Sequence, residues 1–243
     1  MRVIVTSDWH PDKATAGFER FGDVRVAVER SVERAVEVKA GLYLFEGDLV
    51  TNDPSLDFYI RCLGLAQIAS RDLRRAGVPS IWMPGNHDVF EDGLGTTALD
   101  PLEFSDGVVG VAVEPSVIRL EPSSPKLAVL LPYPAPSRVY DPAEFVEEEA
   151  RALGDRARDV VLVAGHLMIE GIERGSESDD MARGRDLFFP VEAVRRCFPK
   201  AVMTNGHYHR RQVFNGVHVP GSIAGGLTRG EVGCEPGFLE LEL

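Results

Sequence analysis

Short apolar runs alternate along the chain with segments whose apolar residues recur at helical spacing. Residues 3–5, 42–45 and 80–83 have the length and composition of buried strands. Residues 24–40 carry apolar side chains at steps of four, which predicts a helix that Gly41 ends. This alternation favours a parallel or mostly parallel sheet with helices packed on it.

Two Asp-Pro pairs mark the starts of further helices. The pair at positions 53 and 54 combines an N-cap with a proline at the first helical position, and it predicts a helix to about residue 76. The pair at positions 141 and 142 predicts a helix to about residue 153. Further predicted elements are strands at 159–164 and 201–204 and a helix at 191–197.

The middle and the end of the chain have a different pattern. Residues 108–131 contain three strand-like runs separated by Pro and Gly, which favours antiparallel pairing. Residues 171–186 are polar and rich in Gly, Ser, Asp and Arg, which predicts a mobile loop beside a site. Residues 211–243 predict three or four short strands. Without a repeat or a clear linker, we expect a single domain over residues 1–243.

Composition and charge narrow the class of protein. The 243 residues carry a net charge of -12, which argues against binding nucleic acid by charge alone. A nuclease stays open, because bound divalent cations offset local negative charge. Three widely spaced cysteines, Cys62, Cys197 and Cys234, indicate reduced thiols. The start lacks signal-peptide organisation and no apolar run reaches bilayer length, so we expect a cytoplasmic protein without membrane contact.

Five predicted strands end in a polar cluster that contains His, Asp or Asn. The carboxyl ends of strands in α/β sheets are where ligands bind. Residues two apart can point to the same side of an extended segment, and the glycines before four of these clusters let the backbone turn sharply. The clusters are Asp8-Trp9-His10, Gly47-Asp48, Gly85-Asn86-His87-Asp88, Gly165-His166 and Gly206-His207-Tyr208-His209.

These clusters offer nitrogen and oxygen ligands without thiolate. Such a set suits manganese, iron, zinc or nickel better than calcium. The candidates are too many for one ion, whereas two ions about 3.5–4 Å apart, bridged by one carboxylate, would use them all. Each cluster alone also fits a surface turn, but their joint placement at strand ends favours a metal site. His218 belongs to no cluster, and a surface or packing role is the better interpretation there.

In this order the clusters resemble the calcineurin-like metallophosphoesterases over nearly the whole chain. The resemblance implies an α/β fold, a four-layer αββα sandwich of two mixed sheets flanked by helices, with two divalent metals at one edge. Manganese is the expected metal, with iron, zinc or nickel as alternatives.

The resemblance also implies a role for each site residue. Asp48 would bridge the metals, and a hydroxide activated by both metals would attack phosphorus. His87 would stand over the phosphate and protonate the leaving oxygen, with Asp88 orienting it. One metal would be held by Asp8, His10, Asp48 and His209, and the other by Asp48, Asn86, His166 and His207.

Within this superfamily, several stretches resemble the SbcD-type DNA repair nucleases, notably residues 6–10, 47–50 and 206–212. This similarity implies a DNA exonuclease or endonuclease that cleaves phosphodiester bonds. Those nucleases carry a capping domain after the core and a segment that binds an ATPase partner. We expect neither a C-terminal capping domain nor the partner-binding segment here, which leaves DNA engagement and an SbcC-like ATPase partner open. A homodimer is also left open.

Two other classes of function compete with a nuclease. A phosphatase or phosphodiesterase could act on a small nucleotide, a lipid headgroup or a phosphoprotein, although polar residues 171–186 disfavour a lipid. A non-catalytic scaffold would be expected to have lost ligands, and all of these positions are filled. The pair Arg210-Arg211 either meets phosphates or is a solvated surface pair.

Overall fold

A computed structural model describes residues 1–51, 54–90, 95–105, 108–121, 123–173, 187–225, 231 and 233–243. Within these residues the helices are α1 (Phe21–Glu37), α2 (Leu56–Arg75), α3 (Pro142–Leu153) and α4 (Val191–Cys197). The strands are β1 (Arg2–Thr6), β2 (Ala14–Thr15), β3 (Phe18–Glu19), β4 (Leu42–Glu46), β5 (Ser80–Met83), β6 (Val108–Val111), β7 (Ser116–Arg119), β8 (Leu127–Leu131), β9 (Val160–Gly165), β10 (Val202–Asn205), β11 (Gln212–Phe214), β12 (Val217–Val219) and β13 (Leu239–Glu242).

Two mixed sheets form the centre of the fold. Sheet one has the order β13-β1-β4-β5-β6, and sheet two has the order β11-β12-β10-β9-β8-β7. Each has a parallel centre with antiparallel pairing at one or both edges, because β13 pairs antiparallel with β1, and β7 and β11 pair antiparallel with β8 and β12. The predicted α/β class with two mixed sheets is confirmed.

Four layers follow from how side chains alternate across the strands. In β1, Ile4 packs with residues of α1 and α2, whereas Val3 and Val5 face the other sheet. From sheet two, Ala128 and Leu130 join that inter-sheet core, and the opposite face packs with α3 and α4. The order is therefore helix, sheet, sheet, helix, as the αββα expectation requires. Among the described helices, none combines the length and hydropathy that crossing a membrane requires.

The antiparallel prediction for residues 108–131 is confirmed for the pairing of β7 with β8 and is wrong for β6. β6 pairs parallel with β5, and β8 pairs parallel with β9, while β7 pairs antiparallel with β8. A parallel neighbour needs a crossover of a dozen or more residues. The connection between β5 and β6 is long enough, and it includes a 3-10 helix at Asp100–Phe104 that contacts β6.

Helix α1 is shifted by three residues relative to the predicted helix: it begins three residues before residue 24 and ends three residues before residue 40. The strict step of four placed Val36 on the buried face, yet Val36 is 40% exposed. Since about 3.6 residues complete a turn, each step of four moves the stripe roughly 40° around the helix. The buried set therefore shifts to Ser31 and Ala35.

Helix α2 begins later than the Asp-Pro pair predicted. Its N-cap is Ser55, whose hydroxyl accepts a hydrogen bond from the backbone N–H of Phe58. Asp53 lies outside the described residues. For α3 the prediction is confirmed, because Asp141 accepts hydrogen bonds from Ala143 and Glu144. Of the predicted loop at 171–186, residues 174–186 lie outside the described part of the chain.

Candidate metal centre

The predicted ligands converge where the carboxyl ends of the two sheets meet. Sheet one contributes the segments after β1, β4 and β5, and sheet two contributes those after β9 and β10. The residues brought together are Asp8, His10, Asp48, Asn86, His87, His166, His207 and His209. His218 lies within β12, outside the metal-binding clusters found in the described residues.

Four of these residues have left-handed backbone conformations. The φ angles are 51° at Asp8, 40° at His10, 64° at Asp48 and 78° at His207. The prediction that Asp8 and His10 lie on an extended segment is therefore wrong, and so is its counterpart for His207. Non-glycine residues in this region cost about 1–3 kcal/mol each and cluster at functional sites. The backbone therefore turns at the ligand residues themselves. These turns direct their side chains toward the cluster, whereas a straight strand would separate them.

Only one of the four glycines that precede the clusters uses its conformational freedom. Gly47 has a φ of 91°, whereas Gly85, Gly165 and Gly206 have no positive φ. Gly85 is required for close approach, because a Cβ there would collide with the carboxylate of Asp48. A Cβ on Gly206 would lie 2.8 Å from Nδ1 of His166. The sharp-turn explanation is correct for Gly47 alone.

A first cluster consists of Asp8, His10 and His209. Nε2 of His209 lies 3.6 Å from Oδ1 of Asp8, and the rings of His10 and His209 are 5.1 Å apart. Nδ1 of His10 lies 2.9 Å from the carbonyl oxygen of Val50. Donation of the Nδ1 proton to that carbonyl leaves the Nε2 lone pair facing the cluster.

A second cluster consists of Asp48, His166 and His207. Oδ1 of Asn86 lies between the two rings, 3.1 Å from Nε2 of His166 and 3.0 Å from Nδ1 of His207. Nδ1 of His166 contacts the carbonyl oxygen of Glu46, so its Nε2 faces inward. Two imidazoles, an amide oxygen and a carboxylate therefore converge on a small volume.

Asp48 lies between the two clusters. Its Oδ2 atom is 3.5 Å from Nε2 of His10 and 3.4 Å from Nε2 of His166. Its Oδ1 atom accepts a hydrogen bond from the backbone N–H of His87 at 3.0 Å, which fixes the carboxylate. This placement is the one that a carboxylate shared by two metal ions requires.

Unsatisfied buried atoms show that this set fits divalent cations. Within the described residues, both carboxylate oxygens of Asp8 and Nε2 of His10 are buried without a hydrogen-bond partner. Buried polar atoms without partners are rare and need an explanation, of which an ion is one. The described ligands carry nitrogen and oxygen donors, as first-row transition ions prefer.

The pKa values of His10, His207 and Asp48 are shifted toward the forms that bind metals. Against its burial, the neighbouring Asp48 carboxylate raises the pKa of His166 to about 9. Burial raises the pKa of Asp8 to about 6, against the opposing effect of His209. Burial also holds the pKa of His10 and of His207 well below the ordinary value, which keeps both imidazoles neutral, the form that binds metals. For Asp48, burial opposes ionisation, but His166 and other histidines outweigh it and hold its pKa well below the usual range.

His87 lies at the solvent side of the cluster. Its side chain is 9% exposed, whereas those of His10 and His166 are fully buried. Its Nε2 atom is 4.0 Å from Oδ2 of Asp48, and its ring stands edge-on to that of His10 at 5.1 Å. An imidazole in this place can meet a phosphate that approaches from solvent.

The carboxylate of Asp88 organises the loops around the site. Its Oδ2 atom accepts backbone N–H bonds from Asp48 at 2.7 Å and Gly85 at 2.9 Å. Its Oδ1 atom accepts bonds from Leu49 at 2.8 Å and Val50 at 3.2 Å. These four bonds occupy the acceptor positions of the carboxylate. Holding the two loops together differs from the predicted role of Asp88, which was to orient His87.

Two buried carboxyl groups near the site were missed by the sequence analysis. Glu46 lies at the end of β4, where burial raises its pKa well above the ordinary value and the hydroxyl of Thr204 donates to it. A charged residue ending an apolar strand was a signal in the sequence. Glu231 contacts Nδ1 of His209 at 2.7 Å. Its surroundings contain no motif that would have revealed it.

The chain belongs to the calcineurin-like phosphoesterase family, whose model matches residues 1–211. The family implies a hydrolase that depends on two divalent metals, in agreement with the two clusters that share Asp48. Among curated protein sequences, none matches this chain significantly.

A search of solved structures also finds similar chains. The protein TT1561 of Thermus thermophilus is 14% identical, with a TM-score of 0.48 and coverage of 91% of this chain and 89% of that chain. A dimetal phosphatase from Danio rerio is 12% identical, with a TM-score of 0.55 and coverage of 92% of this chain and 88% of that chain. At that identity, the second likeness concerns the fold alone.

Proposed function

We propose that this protein is a two-metal phosphodiesterase that hydrolyses nucleic acid. The observation that carries the proposal is the position of Asp48 Oδ2 between Nε2 of His10 and Nε2 of His166. The ligands of one metal would be Asp8, His10, Asp48 and His209, and those of the other would be Asp48, Asn86, His166 and His207.

A bound pair of divalent ions, manganese in this proposal, would activate water and neutralise charge on the phosphate. Residues of the protein would set the spacing of the metals and donate the proton. Asp48, held by the backbone N–H of His87, fixes the spacing of the two ligand sets. His87 faces the phosphate from the solvent side, where it donates a proton to the leaving oxygen. Its partial exposure lets a substrate reach it, whereas the buried histidines are inaccessible.

The preference for nucleic acid is supported by the similarity of residues 6–10, 47–50 and 206–212 to SbcD-type nucleases. Of the two arginines after His209, Arg210 forms an ion pair with Glu173. Arg211 is exposed and lies next in the chain, so it is the better candidate for contacting a backbone phosphate. The net charge of -12 disfavours binding of nucleic acid through many such contacts.

Substrate class can be tested directly with purified protein in Mn²⁺. Labelled single-stranded DNA and duplex DNA are compared with bis-p-nitrophenyl phosphate and p-nitrophenyl phosphate, and His87→Ala serves as the control. We expect cleavage of DNA and of the diester, both slowed by about 10²–10⁴-fold in the variant. Arg211→Gln should raise the KM for DNA and leave the KM for the small diester unchanged.

Other outcomes would change the proposal in specific ways. Turnover of the small diester or monoester with intact DNA would keep the metal centre and move the substrate to a small phosphoester. DNA cleavage at an undiminished rate in His87→Ala would point to a contaminating nuclease. Absence of any turnover with two metals bound would contradict the hydrolase itself.

A further inference from the structure

A buried glutamate stands directly behind one of the proposed metal ligands. The side chain of Glu231 is 1% exposed, and its Oε1 atom lies 2.7 Å from Nδ1 of His209. Nε2, the other ring nitrogen of His209, faces Oδ1 of Asp8 at 3.6 Å. The imidazole is thus placed between a carboxylate behind it and the first ligand cluster in front.

Three histidines of the site have Nδ1 anchored behind the ring, and their anchors differ. His10 and His166 contact the backbone carbonyl oxygens of Val50 and Glu46. Within the described residues, His209 is the one of the three anchored by a side chain, and that side chain is ionisable. A carboxylate anchor fixes the tautomer as a carbonyl does, and it also makes the ring a stronger donor to a metal.

Glu231 is itself held in place by Ser222. The hydroxyl of Ser222 lies 2.9 Å from Oε2 of Glu231, within hydrogen-bonding distance. The backbone N–H of Ser222 donates to the carbonyl oxygen of His209 at 3.0 Å. The three residues therefore form a closed ring of hydrogen bonds in which neither the carboxylate nor the imidazole can turn alone. Ser222 also pairs with Ser7, next to Asp8, which ties the ring to the first strand.

We propose that Glu231 is a positioning residue that holds His209 with Nε2 directed at the metal shared with Asp8 and His10. The inference rests on the proposed function, since it takes His209 to be a metal ligand. Losing a carboxylate behind a ligating histidine typically weakens metal binding by about 10–100-fold. The second cluster does not contact Glu231 in the described structure, so the loss should concern one of two ions.

The test compares Mn²⁺ binding to metal-free wild type, Glu231→Ala and Glu231→Gln by titration calorimetry, with no substrate present. Glu33→Gln, an exposed position on α1, is the matched control. We expect one of two ions to bind about 10–100-fold more weakly to Glu231→Ala. Glu231→Gln should recover part of this loss, because an amide oxygen still accepts the Nδ1 proton but lacks the charge. The visible spectrum of bound Co²⁺ should change for one ion only.

An equal loss of affinity for both ions, or unchanged binding in both Glu231 variants, would overturn the inference. If Glu231→Ala does not fold, Glu231→Gln decides alone: selective weakening supports the role, and binding like wild type contradicts it. Wild-type protein that fails to bind two ions would defeat the proposed function itself. Wild-type protein that binds two ions and turns over, with unaffected Glu231 variants, would defeat only this inference.

Discussion

Oδ2 of Asp88 accepts a hydrogen bond from the backbone N–H of Asp48 at 2.7 Å. The bond joins the loop after β5 to the loop after β4, and it holds the residue that lies between the two ligand clusters. Because Asp48 has a left-handed φ of 64°, the loop needs such external restraint. The carboxylate of Asp88 supplies it through four backbone bonds.

We expect Asp88→Asn to destabilise the protein by about 2–4 kcal/mol, because an amide can accept only part of these bonds and leaves buried N–H groups unsatisfied. The free energy of unfolding in urea measures this. Asp155→Asn, an exposed position, should change it by less than about 0.5 kcal/mol. A loss as small for Asp88→Asn would contradict the organising role.

Gly85→Ala should disrupt the centre sterically. A Cβ there would lie 2.6 Å from the backbone N of Asp48 and 2.7 Å from Cε1 of His166. We expect about 1–3 kcal/mol of destabilisation together with weaker Mn²⁺ binding. Gly64→Ala is the matched control, since no atom lies within 4 Å of its added Cβ and it stands inside α2. Gly64→Ala should raise the free energy of unfolding by about 0.5–1 kcal/mol. The same change in stability and in Mn²⁺ binding for both variants would argue against close packing at Gly85.

Asp48→Ala should abolish binding of both metals, because each ligand set loses the oxygen that it shares. Metal content after dialysis against Mn²⁺, measured by mass spectrometry, checks this. Asp155→Ala should keep the wild-type content. Two ions retained by Asp48→Ala would show that the bridging assignment is wrong.

His87→Ala should keep both metals and lower kcat by about 10²–10⁴-fold, the usual contribution of a general acid. The same metal analysis and a diester assay separate the two effects. His218→Ala, which removes a histidine from β12, should leave the metal content and kcat unchanged. Loss of metal in His87→Ala would make His87 a ligand instead of an acid.

Alkaline pH should weaken the fold through Tyr43. This phenol is buried beside Ser31, whose hydroxyl lies 2.7 Å away, and burial raises the pKa of Tyr43 to about 12. An unfolded tyrosine ionises near its ordinary pKa of about 10. The stabilisation is therefore complete below pH ~10 and is lost as the pH rises to ~12, by roughly 2–3 kcal/mol.

Urea unfolding at several pH values measures this loss. Tyr43→Phe, which cannot ionise, should not show the part of the decline that belongs to Tyr43. Parallel declines in the two proteins would exclude Tyr43 as the cause. Absorbance at the wavelength of phenolate should show one tyrosine fewer titrating near pH 12 in the variant.

The sequence by itself determined the order of elements and the identity of the clustered residues. Apolar runs marked β1, β4 and β5, since a strand buried on both faces must be continuously apolar. Polar residues directly after such runs lie at strand ends in any α/β sheet, so Asp8, His10 and Asp48 could be placed together before any coordinates.

Tertiary structure alone decided how the ligands are aimed and supported. The left-handed conformations of Asp8, His10 and Asp48 depend on bonds from other loops, which sequence periodicity does not encode. The parallel pairing of β6 depends on where a long crossover returns. Glu231 reaches His209 only because distant segments fold together, and the four bonds to Asp88 exist only once two loops meet. Local sequence specifies which groups are available, and long-range contacts specify what each group can do.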